Sequence, residues 1–122
     1  MSLSLQVLGA LAILVSIVAI RAVFRANSFA APVVKIQAER GHKVSDSGPY
    51  AYVRHPMYAW AIPFLVGTPL LLGSWFGFAC VPVLIVGLAV RAVLEERVLC
   101  AQLDGYGEYA ARVRYRFVPF VW

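Results

Sequence analysis

Charge is what this sequence has least of. Asp, Glu, Lys and Arg make up 14% of its 122 residues, and only six of those are acidic, against about 25% charged in an ordinary soluble domain. A soluble protein of this size must clothe its surface in charge, and the residues to do so are missing. A mean hydropathy of +0.77 agrees. Cysteine is equally scarce. Cys80 falls in an apolar run and Cys100 in a charged segment, which excludes a disulfide framework and leaves both thiols expected to be reduced. The two histidines, His42 and His55, have no partner at zinc-site spacing, so no metal is expected. There is no glycine-rich phosphate loop, no GxSxG elbow and no HExxH, which excludes the commonest hydrolase and nucleotide-dependent designs.

What the sequence has instead is long uncharged runs. Met1–Ile20 carries no charge, no basic residue precedes it, and Arg21 and Arg25 follow it. A signal peptide begins with basic residues and ends at a small-residue cleavage site. The run reads instead as a retained transmembrane helix, since roughly 20 apolar residues cross a hydrocarbon core of about 30 Å. Met57–Val90 is a second uncharged run, too long for one simple span. Pro63 and Pro69 would disturb a continuous helix through it, and Leu72-Gly73-Ser74-Trp75 has the composition of a tight turn. The expected structure is a helical hairpin over Pro56–Leu72 and Trp75–Leu103. Pro56 stands at the first helical position, where its missing N–H costs nothing, and Gly105 and Gly107 end the second arm. The first arm is short for a bilayer.

The segment between the runs, residues 26–55, is mixed and polar and reads as a loop, with some strand or interfacial character over 30–38. The single membrane domain 1–122 therefore divides into a first helix (1–25), a loop (26–55), a hairpin with an extension (56–103) and a C-terminal segment (104–122). Six basic residues (Arg21, Arg25, Lys35, Arg40, Lys43, Arg54) lie between the first and second helices. The other five (Arg91, Arg97, Arg112, Arg114, Arg116) follow the third or close its last turns. Three crossings put both groups on one face, which the positive-inside rule makes cytoplasmic. Two or four crossings would not. The fold class is thus an all-α integral membrane protein with three transmembrane helices, its N-terminus outside and its C-terminal segment cytosolic. In a bacterium that membrane would be the inner, cytoplasmic one. The membrane also accounts for the basic balance, so no nucleic-acid partner is expected.

Two clusters sit at the cytosolic ends of the hairpin arms. Ser47-Gly-Pro-Tyr-Ala-Tyr-Val-Arg-His-Pro-Met-Tyr58 places Arg54, His55 and Tyr58 around a helix N-terminus, which offers N–H groups and a positive dipole to an anion. Arg91-Ala-Val-Leu-Glu-Glu-Arg97 places Glu95 and Glu96 where the third helix leaves the bilayer. Antiparallel arms bring both clusters to one depth. Each residue also has a plainer use. Arg54 could be an interfacial anchor and His55 a helix cap. Tyr50, Tyr52, Tyr58, Trp60 and Trp75 could form an aromatic belt. Arg91 and Glu95 could pair along the helix surface, Arg112, Arg114 and Arg116 could meet headgroups, and His42 reads as a loop histidine.

In combination, Ser47-Gly-Pro-Tyr50, Arg54-His-Pro-Met-Tyr58, the uncharged hairpin, and Arg91 with Glu95-Glu96 and Leu99 resemble the isoprenylcysteine carboxyl methyltransferase family. The stretches Gly105-Tyr-Gly-Glu-Tyr109 and Arg114-Tyr-Arg-Phe-Val-Pro119 resemble that family's C-terminus. The likeness covers about residues 44–122, and phospholipid methyltransferases share a looser version. It implies a membrane methyltransferase that uses S-adenosylmethionine, bound between the hairpin and the C-terminal segment, with a small or lipid-like acceptor arriving from the bilayer. An isoprenylcysteine-type carboxylate is one such acceptor. By this resemblance His55, Tyr58, Glu95 and Glu96 line the cofactor site, and Arg54 or Arg91 orients the cofactor carboxylate or an anionic acceptor. Replacing Glu95 and Glu96 together with Gln is then expected to abolish cofactor binding in a folded chain.

There are departures. Ala59-Trp60 follows the motif where the family often has glycine, and Asp104-Gly-Tyr-Gly107 only loosely matches its Phe-Gly stretch. The first helix carries no recognisable motif, and the family commonly has more helices. Two other readings stand beside this one: a nicotinamide-dependent reductase resembling membrane sterol reductases, and a non-catalytic scaffold. Self-association to cover the pocket is a further open expectation.

Overall fold

The computed structural model describes residues 1–26, 44 and 46–122. The expectations for residues 30–38, for His42 and for Lys35, Arg40 and Lys43 fall outside the described residues. The N-terminal apolar run forms α1 (Leu3–Ala26), with Arg21 and Arg25 in its last turns. After it come a 3₁₀ turn (Gly48–Ala51), α2 (Pro56–Leu72), α3 (Trp75–Gln102) and α4 (Tyr106–Arg112). All regular structure among the described residues is helical.

Both prolines expected to interrupt the second run lie inside α2 without ending it. Each removes one amide donor from the helix, but the chain runs on to Gly73, which takes φ 69° and ψ 27° and gives its N–H to the Leu70 carbonyl. Only glycine enters that left-handed region without strain. The Ser74 N–H then reaches back to the Pro69 carbonyl at 2.9 Å, which closes the end of α2. Ser74 also starts α3, its Oγ accepting the Gly77 N–H at 2.9 Å. A single glycine–serine pair thus ends one arm and begins the next.

α1 lies along α2, and they touch at their glycines. A Cβ added at Gly9 would sit 2.6 Å from the Gly67 carbonyl oxygen, and one at Gly67 would sit 2.7 Å from that of Gly9. Lipid is as apolar as leucine, so close backbone packing of this kind is what holds helices together in a bilayer. The outward faces stay apolar and exposed: Leu3, Val7, Leu11, Leu14 and Val18 on α1, and Phe76, Val83, Val86 and Val90 on α3. α1 and α3 are each long and apolar enough to cross a membrane, and α2 is a shorter apolar helix. At 17 residues it is about 26 Å long, less than a hydrocarbon core of about 30 Å.

The C-terminal segment is itself structured and returns to the hairpin. α3 stops at Gln102, but the glycines read as terminators do not end the helical structure. Gly105, at φ 84°, turns the chain and caps α4, and Gly107 lies within it. After α4 the chain folds back on the start of α2: the Arg54 and His55 N–H groups bond the Tyr115 and Arg116 carbonyls at 2.8 and 2.9 Å. Phe120, in the left-handed region at φ 65°, turns the segment so that the Trp122 carbonyl accepts the Arg116 and Phe117 N–H groups. One core cluster, Val23, Tyr50, Leu103, Tyr106 and Tyr109, ties α1, the 3₁₀ turn and α4 together. A second, Tyr58, Ala92 and Phe117, joins the hairpin to the folded-back segment.

Candidate active site

The hairpin sets α2 and α3 antiparallel, so the first turn of α2 meets the last turns of α3. Pro56 fixes the start of α2 with His55 as its N-cap, although the His55 side chain makes no capping bond. It reaches α3 instead. The His55 Nε2 and Glu96 Oε1 lie 3.1 Å apart. Arg54 Nη1 is 3.0 Å from the same oxygen, and Arg116 Nε donates to Glu96 Oε2 at 2.9 Å. Glu96 is 6% exposed, and both its oxygens are occupied by protein groups.

Its neighbour Glu95 is placed differently. Tyr58, three residues past His55 on α2, gives its hydroxyl to Glu95 Oε2 at 2.7 Å and accepts from Arg91 Nε at 2.8 Å. Arg91 and Glu95 therefore do not pair directly as their helical spacing allowed; they share the tyrosine between them. The other oxygen of Glu95, Oε1, has no donor among the described residues. Arg91 also lies 5.8 Å from the centre of the Tyr58 ring. His55 and Tyr58 stack with their rings 5.5 Å apart, and Phe117 meets both edge-on.

Arg54, His55, Tyr58, Arg91, Glu95 and Glu96 thus gather in one cluster. Sequence reasoning missed three residues in it. Arg116, read as a headgroup contact, lies against Glu96, with its guanidinium 4.7 Å over the Trp122 ring. Trp122 in turn packs edge-on against Phe117 at 5.1 Å. The resemblance of Arg114–Pro119 to the family's C-terminus pointed to this segment but to no individual residue in it, and Trp122 lies beyond that motif. Arg112 makes a long, exposed contact of 3.6 Å with Asp46, of little energetic weight.

Two aromatic hydroxyls of α4 complete the surroundings. Tyr109 donates to the Tyr50 carbonyl at 2.7 Å, which anchors the turn that carries Arg54. The Tyr106 hydroxyl is buried with no partner among the described residues. Burial, and then the Glu96 carboxylate, holds the Tyr106 phenol above its ordinary range; burial, and then Tyr50, does the same for Tyr109. Arg54 Nε and Arg91 Nη2 are also buried and unpartnered. Among the described residues, no group of three His, Cys, Asp or Glu side chains could hold a metal.

An apolar helical hairpin with an ion-paired cluster at its mouth is the architecture of a membrane-associated protein with a polar site. Residues 5–104 match the model of the phospholipid methyltransferase family, and the chain belongs to that family, which is related to the isoprenylcysteine carboxyl methyltransferases. In general terms it is a membrane methyltransferase. The match takes in α1, where the sequence alone offered no motif. Among curated proteins, none matches the chain.

Proposed function

We propose that this chain transfers a methyl group from S-adenosylmethionine to a lipid-like acceptor taken from the bilayer. The observation that carries the reading is an imbalance in the cluster. Among the described residues, one acid, Glu95, keeps a carboxylate oxygen free of protein donors, while Arg54 Nε and Arg91 Nη2 are buried donors without acceptors. S-adenosylmethionine has the complementary pair, an ammonium and a carboxylate, so the residues fit the cofactor.

Glu95 is the acid for the ammonium. Arg54 and Arg91 supply donors for the cofactor carboxylate or for an anionic acceptor, and a guanidinium's planar fork suits either. The stacked rings of His55 and Tyr58 form an adjoining wall. Glu96 has a different part: with both oxygens taken, it aims Arg54, His55 and Arg116 and leaves ligand contact to its neighbour. When bound, S-adenosylmethionine supplies an electrophilic methyl on sulfur. The protein's task is then to hold donor and acceptor in line, which can supply much of the rate without a nucleophile–base pair.

The same reading carries the topology: three crossings in one membrane domain, the N-terminus outside, and the cluster and C-terminal segment in the cytosol. It is supported by Arg54, Arg91, Arg97 and Arg116 lying at one end of the hairpin, with no charge at the Gly73-Ser74 end. A groove of about 410 Å³ between α1 and α2, lined by Ile17, Ile20, Arg21, Phe24, Ala61 and Phe64, is almost wholly apolar with one cation. It suits an acyl chain beneath an anionic headgroup and supports a lipophilic acceptor. Trp60, next in sequence to Ala61, is exposed on the same helix.

The test is transfer of labelled methyl from S-adenosylmethionine into lipid. The purified chain is incubated with vesicles of amine-headgroup phospholipid and, separately, with a prenylated cysteine carboxylate. Label in either extracted lipid supports the reading. No transfer to either, together with no binding of the methyl donor, removes it.

A further inference from the structure

Tyr106, next to the cluster on α4, is a buried polar residue to which the methyl-donor reading gives no part. It is 4% exposed, and its hydroxyl has no hydrogen-bond partner among the described residues. A buried hydroxyl in that state is costly, and buried polar groups in folded proteins are rarely left so. The local fold does not force it. Tyr109, on the same helix with its ring 5.6 Å away, has found the Tyr50 carbonyl for its own hydroxyl.

The Tyr106 ring is accounted for by packing against Val23, Tyr50, Leu103 and Tyr109; its hydroxyl is not. Tyr106 and Tyr109 pack with Tyr50, and the Tyr109 hydroxyl lies 2.7 and 3.4 Å from the Tyr50 and Val53 carbonyls, which sets both tyrosines against the turn that leads into Arg54. Among the described residues four buried side-chain atoms lack partners: Ser16 Oγ inside α1, and Arg54 Nε, Arg91 Nη2 and the Tyr106 hydroxyl around the cluster. The two guanidinium atoms can only donate, and a phenol held protonated by burial donates as well. Three unmatched donors ask for a ligand rich in acceptors.

We propose that Tyr106 is a ligand-binding residue whose hydroxyl, with Arg54 Nε, forms a buried donor pair for an acidic group of the bound molecule. This rests on reading the cluster as a ligand pocket; under the methyl-donor reading the acidic group is the carboxylate of S-adenosylmethionine. The pair gives α4 a role in recognition beyond its packing, and the hydroxyl is the atom that distinguishes the two.

The test is Tyr106→Phe in the full chain in detergent, which deletes the hydroxyl and keeps the ring. Two quantities are read: the unfolding temperature without ligand, and the dissociation constants for S-adenosylmethionine, NADPH and inorganic phosphate. The proposal expects an unfolding temperature equal to or above that of the wild type, because no internal bond is lost. It also expects about tenfold weaker binding of whichever of the three the wild type binds. A lower unfolding temperature without ligand overturns it, since the hydroxyl then has a partner in the protein. Unchanged affinity overturns it too. Wild-type binding of NADPH or phosphate but not S-adenosylmethionine, weakened tenfold by the substitution, upholds Tyr106 while removing the methyl donor. Wild-type binding of none of the three removes both.

Discussion

Glu95 and Glu96 are adjacent in sequence, and the structure predicts opposite consequences for the same substitution in each. Glu96 accepts from Arg54 and His55 on Oε1 and from Arg116 on Oε2. In Glu96→Gln the amide keeps a single acceptor oxygen. The least damaging rotamer leaves that oxygen with Arg54 and His55 and turns the NH₂ group towards Arg116, the more exposed of the two arginines. Removing one partner from a buried pair costs about 3–5 kcal/mol. The retained acceptor and the hydration open to Arg116 place this change near the lower end, at about 3 kcal/mol, or a fall of roughly 10 °C in unfolding temperature for a chain of this size.

Glu95→Gln keeps an oxygen for the Tyr58 hydroxyl, and its stability cost is expected to stay below about 1 kcal/mol. On the proposed reading it loses the negative charge that would face the cofactor ammonium, a charge-assisted bond of about 1.5–3 kcal/mol, or roughly 10- to 150-fold in affinity. The assay is unfolding by intrinsic fluorescence in detergent, followed by titration with S-adenosylmethionine. A Glu96→Gln protein as stable as the wild type, or Glu95→Gln binding with undiminished affinity, would refute this division of labour. The double substitution is accordingly expected to carry the stability loss of Glu96→Gln as well as the loss of binding.

Three further outcomes are expected. Gly67→Ala places a methyl group within 2.7 Å of the Gly9 carbonyl and should cost about 1–3 kcal/mol by forcing α1 and α2 apart; unfolding at an unchanged temperature would show that the helices do not meet there. Tyr109→Phe removes the buried hydroxyl that donates to the Tyr50 carbonyl at 2.7 Å and should cost about 1–3 kcal/mol, in contrast to Tyr106→Phe; the two unfolding temperatures, measured side by side, check this. Because Tyr106 and Tyr109 both have folded-state values above the ordinary 10.0, the stability they contribute is complete below about pH 10, where unfolded tyrosine titrates, and falls as pH rises further. A Tyr106→Phe/Tyr109→Phe double variant should flatten that alkaline decline, and an identical decline in the variant would contradict the assignment.

The helices were legible because each carries its signal locally. Uncharged runs, Pro56 at a first helical position and the Gly73-Ser74 turn define α2 and the start of α3 without knowledge of the rest of the chain. The gathering of Arg54, His55 and Tyr58 with Arg91, Glu95 and Glu96 was legible for a related reason: an antiparallel hairpin equates depth with distance from the turn. What could not be read depends on contacts between distant segments. Gly9 and Gly67 look unremarkable alone, and only their apposition gives them meaning. Gly105 and Gly107 resemble terminators, yet Gly105 redirects the chain and α4 forms because Tyr106 and Tyr109 have a core to enter. The return of Arg116 to Glu96 is fixed by backbone bonds from Arg54 and His55 to the Tyr115 and Arg116 carbonyls, which no side-chain pattern encodes. The different surroundings of Glu95 and Glu96 depend on that return, because Arg116 takes the second oxygen of Glu96.

The central claim, that this cluster holds a methyl donor, is tested most directly by equilibrium titration of the purified, detergent-solubilised chain with S-adenosylmethionine, with NADPH run in parallel. The account predicts saturable, single-site binding of S-adenosylmethionine that Glu95→Gln weakens, and no saturable binding of NADPH. Binding of NADPH alone, or of neither molecule by a folded protein, would contradict it.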